Sequence, residues 1–314
     1  HIIRRCNIHH CGQTGIVGHL GGVFSLIEDN HIHHINNKQN LSGAEIGGIK
    51  MHAAIDVVYR RNHIHHCTRG IWLDWQAQGT RVTQNLFHDN TLPNLSENPD
   101  KEEFLGMGED IFVEVSHGPT LIDNNLLLST RSLKLAAQGI AVVHNLIGGA
   151  LTAVGIGTDN GALTLNSPRY TPYHVAHRTE VMGFMTFLHG DVRFYNNIFV
   201  QQDVHPALVE AMERTKEHPN MWDDSNVEVG TFKYDGYPTF EEWDKEFEGY
   251  CGMGSEPSDR YYMHLPVWAD GNVYYGGAKP WEKEANAKVI PHKVTLKLNQ
   301  QDGKYTLETN LYDL

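Results

Sequence analysis

Two acidic residues hold matching places in two short apolar stretches of the chain: Asp74 in Gly70-Ile71-Trp72-Leu73-Asp74 and Glu114 in Asp110-Ile111-Phe112-Val113-Glu114. If those stretches are neighbouring strands of one sheet, their backbones lie about 4.8 Å apart, and carboxyl groups on the same face are separated by roughly 5 Å. That matches a retaining glycosidase, at about 5–5.5 Å; an inverting one keeps its pair about 6.5–9.5 Å apart. Like charges this close push one pKa upward. One carboxyl then stays protonated as a general acid while the other is free to attack. Trp72 and Trp75 flank Asp74 and offer flat apolar surface for a pyranose ring. His52 and His19 hold the same place in two earlier stretches, Gly48–His52 and Gly15–His19. The insertion 91–109 falls between the two acidic stretches and is expected to overhang them and wall off a pocket.

Only a repeating architecture would bring residues 74 and 114 together. A short signature recurs, Asn followed within one or two residues by Ile or Leu, with apolar anchors at 8, 32, 64, 86, 126, 146 and 198. The gaps are 24, 32, 22, 40, 20 and 52 residues. A minimum near 20 with larger insertions suits a right-handed parallel β-helix, in which extra length loops out at the surface. In the stretches that carry the acids, alternation sends Ile71 and Leu73 to the core and Trp72 and Asp74 to the outer face. The recurrent Asn is read as structural, satisfying neighbouring backbone groups at turns.

The expected organisation is all-β: a parallel β-helix core over 1–200, a helical and loop excursion over 201–265, a return to the β-helix over 266–290 and the start of a β-sandwich-like segment over 291–314. Short helices are expected around Pro206–Met212 and Thr239–Trp243. A hairpin is expected around Asp302-Gly303. The first residues already carry a strand-like pattern, which is read as an internal piece of a longer protein.

Composition narrows the function classes. A chain of 314 residues, 40% hydrophobic and 20% charged, is long enough for a large core and too apolar for disorder. No apolar run has the length of about 18 residues that a membrane span needs. The net charge of −13 argues against nucleic acid as a partner and leaves a neutral carbohydrate unaffected. Four cysteines are too few for a disulfide scaffold. Cys11 and Cys67 hold equivalent repeat positions about two strand spacings apart and are expected as free thiols. Homo-oligomerisation and compartment, bacterial cytoplasm or periplasm and exterior, stay open.

The 21 histidines are unusual, and His-x-His-His recurs at 31–34 and 63–66. The favoured reading is a solvent-facing ladder of stacked rings with no metal; zinc binding is the rival. Rivals for the carboxylates are a polysaccharide lyase, a pectin-type hydrolase and a non-catalytic glycan-binding solenoid.

Residues 70–81 (Gly-Ile-Trp-Leu-Asp-Trp-Gln-Ala-Gln-Gly-Thr-Arg) and 110–119 (Asp-Ile-Phe-Val-Glu-Val-Ser-His-Gly-Pro) resemble the two catalytic segments of glycoside hydrolase family 120. Asn272–Pro280 is similar too. That family comprises retaining β-xylosidases built on a right-handed parallel β-helix with an attached β-sandwich. The resemblance implies Asp74 as nucleophile, Glu114 as acid/base and no cofactor. It also implies Glu45, in Gly43–His52, as a contact to the nonreducing-end xylose of a xylo-oligosaccharide. His52, Trp72, Trp75 and His117 complete the expected substrate-binding set.

Overall fold

The computed structural model describes residues 1–20, 22–38, 41, 45–90, 108–153, 170–215, 226–249 and 263–313. Short strands stack in parallel into three sheets of eight, nine and six strands, each sheet taking one strand from successive turns of the chain. Residues two apart point the same way along each strand. The alternation therefore delivers Ile32, Ile64, Phe87, Leu127, Ile147, Phe199 and Tyr274 from one sheet, and Ile49, Ile71, Ile111 and Leu133 from another, into one buried core.

The asparagine repeat builds a continuous side-chain ladder. The Nδ2 of Asn30 donates to Oδ1 of Asn62, and the pattern continues through Asn85, Asn125, Asn145, Asn197 and Asn272, at 2.9–3.0 Å per step. Each Oδ1 also accepts the backbone N–H of the preceding rung, as in Asn62 N to Asn85 Oδ1 at 2.9 Å. The first rung is Cys6, whose N–H donates to Asn30 Oδ1; Asn7 instead meets His33 on the outside.

This ladder corrects the anchors. In the later coils the inward residue is Phe87, Leu127, Ile147 or Phe199, each fully buried, and not the Leu86, Leu126, Leu146 or Ile198 expected from the sequence. The inward side chain lies two residues after the ladder position throughout. A slip of one residue exchanges the faces of a strand, and adjacent apolar pairs such as Leu126-Leu127 hid that slip.

Helices form at Pro206–Thr215 and Phe240–Lys245. Thr239 caps the second: its Oγ1 accepts from the Glu242 N–H while the Glu242 carboxylate accepts from the Thr239 N–H. Strands rejoin the parallel sheets at Val267–Asp270 and Val273–Tyr275. Residues 296–309 then form an antiparallel hairpin around Asp302-Gly303, both with positive φ. Cys6, Cys11 and Cys67 are free thiols, and burial pushes Cys67 up to about 12. No helix among the described residues is long and apolar enough to cross a membrane.

The histidines follow the register. Rings stack between coils along His9, His33, His65 and His88 and along His10, His34 and His66. The face is less open than a solvent-facing ladder: His65 is 6% and His88 8% exposed. Burial, then His88 and His31, push His63 down to about 3.

Candidate active site

The six-stranded sheet sets the site. Its strands Thr14–His19, Gly47–His52, Ile71–Asp74 and Glu109–Glu114 are consecutive neighbours. His19 pairs with His52, His52 with Asp74, and Leu73 with Val113, so Glu114 follows Asp74 in the same column. The chain turns sharply after that column: Leu20, Ala53, Trp75 and Val115 all have positive φ between 35° and 50°. Gly70 permits the close stacking of the two acidic strands, because a Cβ there would lie 2.3 Å from the carbonyl oxygen of Asp110.

The outward positions of these strands are buried as well. Lys50, Trp72, Phe112 and Lys134 are in register across four strands, none more than 7% exposed. Trp72 stacks on Phe112 with ring centroids 5.5 Å apart, and the Arg69 guanidinium covers both rings at 4.4 and 4.6 Å. Glu109, fully buried, takes the Arg69 Nε at 2.8 Å. Burial is the largest influence on Glu109 and raises its pKa, but the charges of Arg69, Lys134 and Arg131 together outweigh it and hold this carboxyl below the usual range.

Asp74 and Glu114 follow the paired residues Leu73 and Val113 on adjacent strands, close enough for the charge of Asp74 to act on Glu114. Their surroundings differ sharply. Asp74 Oδ2 receives the fully buried Lys50 Nζ at 2.8 Å and lies 3.1 Å from His52 Nε2; among the described residues no nitrogen donor holds Oδ1. Among the described residues Glu114 has one nitrogen partner, the Trp72 indole N–H, which donates to Oε2 at 2.9 Å. Burial first, and then the negative charge of Asp74, raise the Glu114 pKa to about 8, with the Trp72 hydrogen bond and Arg69 opposing. Of two like groups this close, Glu114 is the one whose surroundings favour keeping a proton. Glu45 joins from the other side. It pairs with Lys50, and its Oε1 lies 3.5 Å from His52 Nε2. Glu45, Lys50, His52 and Asp74 thus form one connected group ending on Glu114.

One expected substrate contact needs correction. Trp72 is not an open platform for a sugar, because Arg69 and Phe112 occupy its ring and its N–H holds Glu114. His117 bonds to Gln138 and Thr171 and has no described contact with Asp74 or Glu114. It follows the left-handed Val115, where the chain has turned away from the column. Trp75 sits at the same kind of turn, half-buried. Residues 91–107, expected to overhang the pair, lie outside the described residues.

Lys50, Arg69 and Glu109 went unrecognised as parts of the site. Their signal was available in register: a lysine between Ile49 and Met51 stands in the same outward row as Trp72. Alternation alone does not mark it, because outward charges on a solenoid are ordinarily solvated.

Stacked parallel coils carrying a buried carboxyl pair define a β-helix protein with a candidate carboxylate site. A family model described as "Right handed beta helix region" matches residues 1–149. Among solved structures, "The complex structure of XylC with xylose" is similar at 38% identity and a TM-score of 0.75, over 98% of this chain and 41% of that one. The chain therefore spans well under half of the XylC chain it matches. None of the curated proteins compared matches. The likeness to glycoside hydrolase family 120 read from residues 70–81 and 110–119 is borne out by the XylC match.

Proposed function

We propose that this protein is a retaining, exo-acting β-xylosidase that releases xylose from the nonreducing end of xylo-oligosaccharides. The observation that carries the reading is the adjacent pair of Asp74 and Glu114 on neighbouring strands, in which one carboxyl is backed by a buried ammonium and the other is raised by burial and by its neighbour's charge. The similarity to a protein solved with xylose supports the choice of sugar.

Chemistry follows from the asymmetry. Asp74 attacks the anomeric carbon through the oxygen that no nitrogen donor holds, while Lys50 and His52 fix the other oxygen. The bond from the anomeric carbon to the leaving oxygen breaks as Glu114 gives that oxygen its proton. A glycosyl ester on Asp74 results. Glu114, now ionised, takes a proton from water as the water oxygen attacks the same carbon, expelling Asp74 and releasing β-xylose. Glu45, tethered to Lys50 and His52, is positioned to accept hydrogen bonds from sugar hydroxyls. Trp72 acts through Glu114, orienting its carboxyl.

An aryl-glycoside panel tests the reading. Aryl β-xyloside is expected to be cleaved in preference to β-glucoside and α-arabinoside, and Asp74→Ala is expected to abolish turnover. An Asp74→Ala variant with near-normal activity overturns the assignment, as does ultraviolet-absorbing unsaturated product, the mark of a lyase.

A further inference from the structure

The histidines of the nine-stranded sheet lie apart from the carboxylate group. His31 pairs with His63, and His65 with both His33 and His88, on adjacent strands. Rings within a column stack face to face, His31 on His63 at 4.7 Å and His65 on His88 at 4.6 Å. Across the diagonals the rings tilt and their Nε2 atoms converge. Those of His31 and His65 are 2.8 Å apart, and so are those of His63 and His88. Ligand atoms of His31, His63 and His65 all fall within 4.8 Å of one another.

The rings are also held from behind. His88 Nδ1 lies 2.6 Å from the Asp89 carboxylate, which places the proton on Nδ1 and turns the Nε2 lone pair toward His63. His65 Nδ1 lies 2.7 Å from His66 Nδ1. A carboxylate behind an imidazole is how metal-ligating histidines are oriented in proteins. Tyr305, from the C-terminal hairpin, caps the group with its ring 4.3 Å from His63.

We propose that His31, His63 and His65, with His88 beside them, form a site for a borderline first-row transition-metal cation such as Zn²⁺, separate from the carboxylate group. The donors are imidazole nitrogens, which suit zinc, cobalt, nickel and copper and not the oxygen-seeking Mg²⁺ or Ca²⁺. Zinc–nitrogen bonds are about 2.0–2.1 Å, so two nitrogens on one tetrahedral ion stand about 3.3–3.4 Å apart. The 2.8 Å pair of His31 and His65 opens by about half an ångström when the ion enters, and the shared N–H moves to the other ring nitrogen. The bound ion cross-links two successive coils, that of His31 and that of His63 and His65. A second group of ligand-type residues, Glu45, His52 and Asp74, already holds a cation in the Lys50 ammonium and is not the same kind of site.

The test uses the untagged chain, stripped of metal by a chelator, titrated with Zn²⁺ by calorimetry and with Co²⁺ by visible absorption. One ion per chain is expected, with the intense bands of tetrahedral cobalt and their loss on adding Zn²⁺. His31→Gln and His63→Gln, each checked for native circular dichroism, are expected to weaken binding about tenfold or more, while His292→Gln, at an exposed position outside the group, leaves it unchanged. Absence of saturable binding by either ion overturns the proposal, as does binding equally tight in both ladder variants. Because the readout is metal affinity, its failure leaves the xylosidase reading untouched.

Discussion

At the scale of single residues the account turns on unequal surroundings for two like groups. Asp74 is held by an ammonium and an imidazole on one oxygen, whereas Glu114 is buried and takes one nitrogen donor among the described residues, the indole N–H of Trp72. Glu114→Gln is expected to lower kcat by about 10²–10⁴-fold on substrates with poor leaving groups, because it removes the transferable proton. Azide is expected to restore turnover to Glu114→Ala and to yield the β-xylosyl azide, which NMR of the product checks. The raised Glu114 pKa sets a pH dependence. The acid form is the active one, so kcat/KM is present below that pKa and falls as pH rises through it. Trp72→Phe keeps the aromatic stack but removes the N–H that favours ionised Glu114. The alkaline limb of the pH–rate profile is therefore expected to move upward, and a limb that stays in place would show that Trp72 does not act through Glu114.

At the scale of elements, the stacking of coils was legible because the Asn signature and the Gly-started strands recur. Residues 71–74 and 111–114 could be set side by side from alternation alone, and they are neighbours in the sheet. Two things were not legible. Where two apolar residues adjoin, as in Leu86-Phe87 or Ile198-Phe199, period-two reading cannot say which one enters the core; only the distance to the ladder Asn decides. Nor does alternation say whether an outward face is covered. Lys50 and Trp72 looked like surface and are buried, which is why the lysine was missed and the tryptophan given the wrong task. The ladder carries its own prediction. Asn125 donates to Asn145 Oδ1 and the Val82 carbonyl, and accepts from Asn85. Asn125→Leu orphans several buried groups at about 1–3 kcal/mol each, and a loss above about 3 kcal/mol is expected in urea unfolding. Asn7→Ala, at the exposed position outside the ladder, is expected to change stability by no more than about 0.5 kcal/mol.

At the scale of the whole molecule, the solenoid stacks successive turns of chain into one rigid row of positions, so a carboxyl pair is set by backbone spacing and not by loop conformation. The net charge of −13 belongs to the same scale. It repels polyuronates and leaves a neutral xyloside indifferent, so kcat/KM on aryl β-xyloside is expected to change little between low and high salt. The central claim is that Asp74 becomes covalently bonded to the sugar, with Glu114 beside it. Incubation with a 2-deoxy-2-fluoro-β-xyloside carrying a good leaving group, followed by peptide mass spectrometry, tests it directly. The account predicts a single fluoroxylosyl adduct on Asp74 within residues 70–81. An adduct on another residue, or hydrolysis with no adduct and the α anomer as first product, would contradict it.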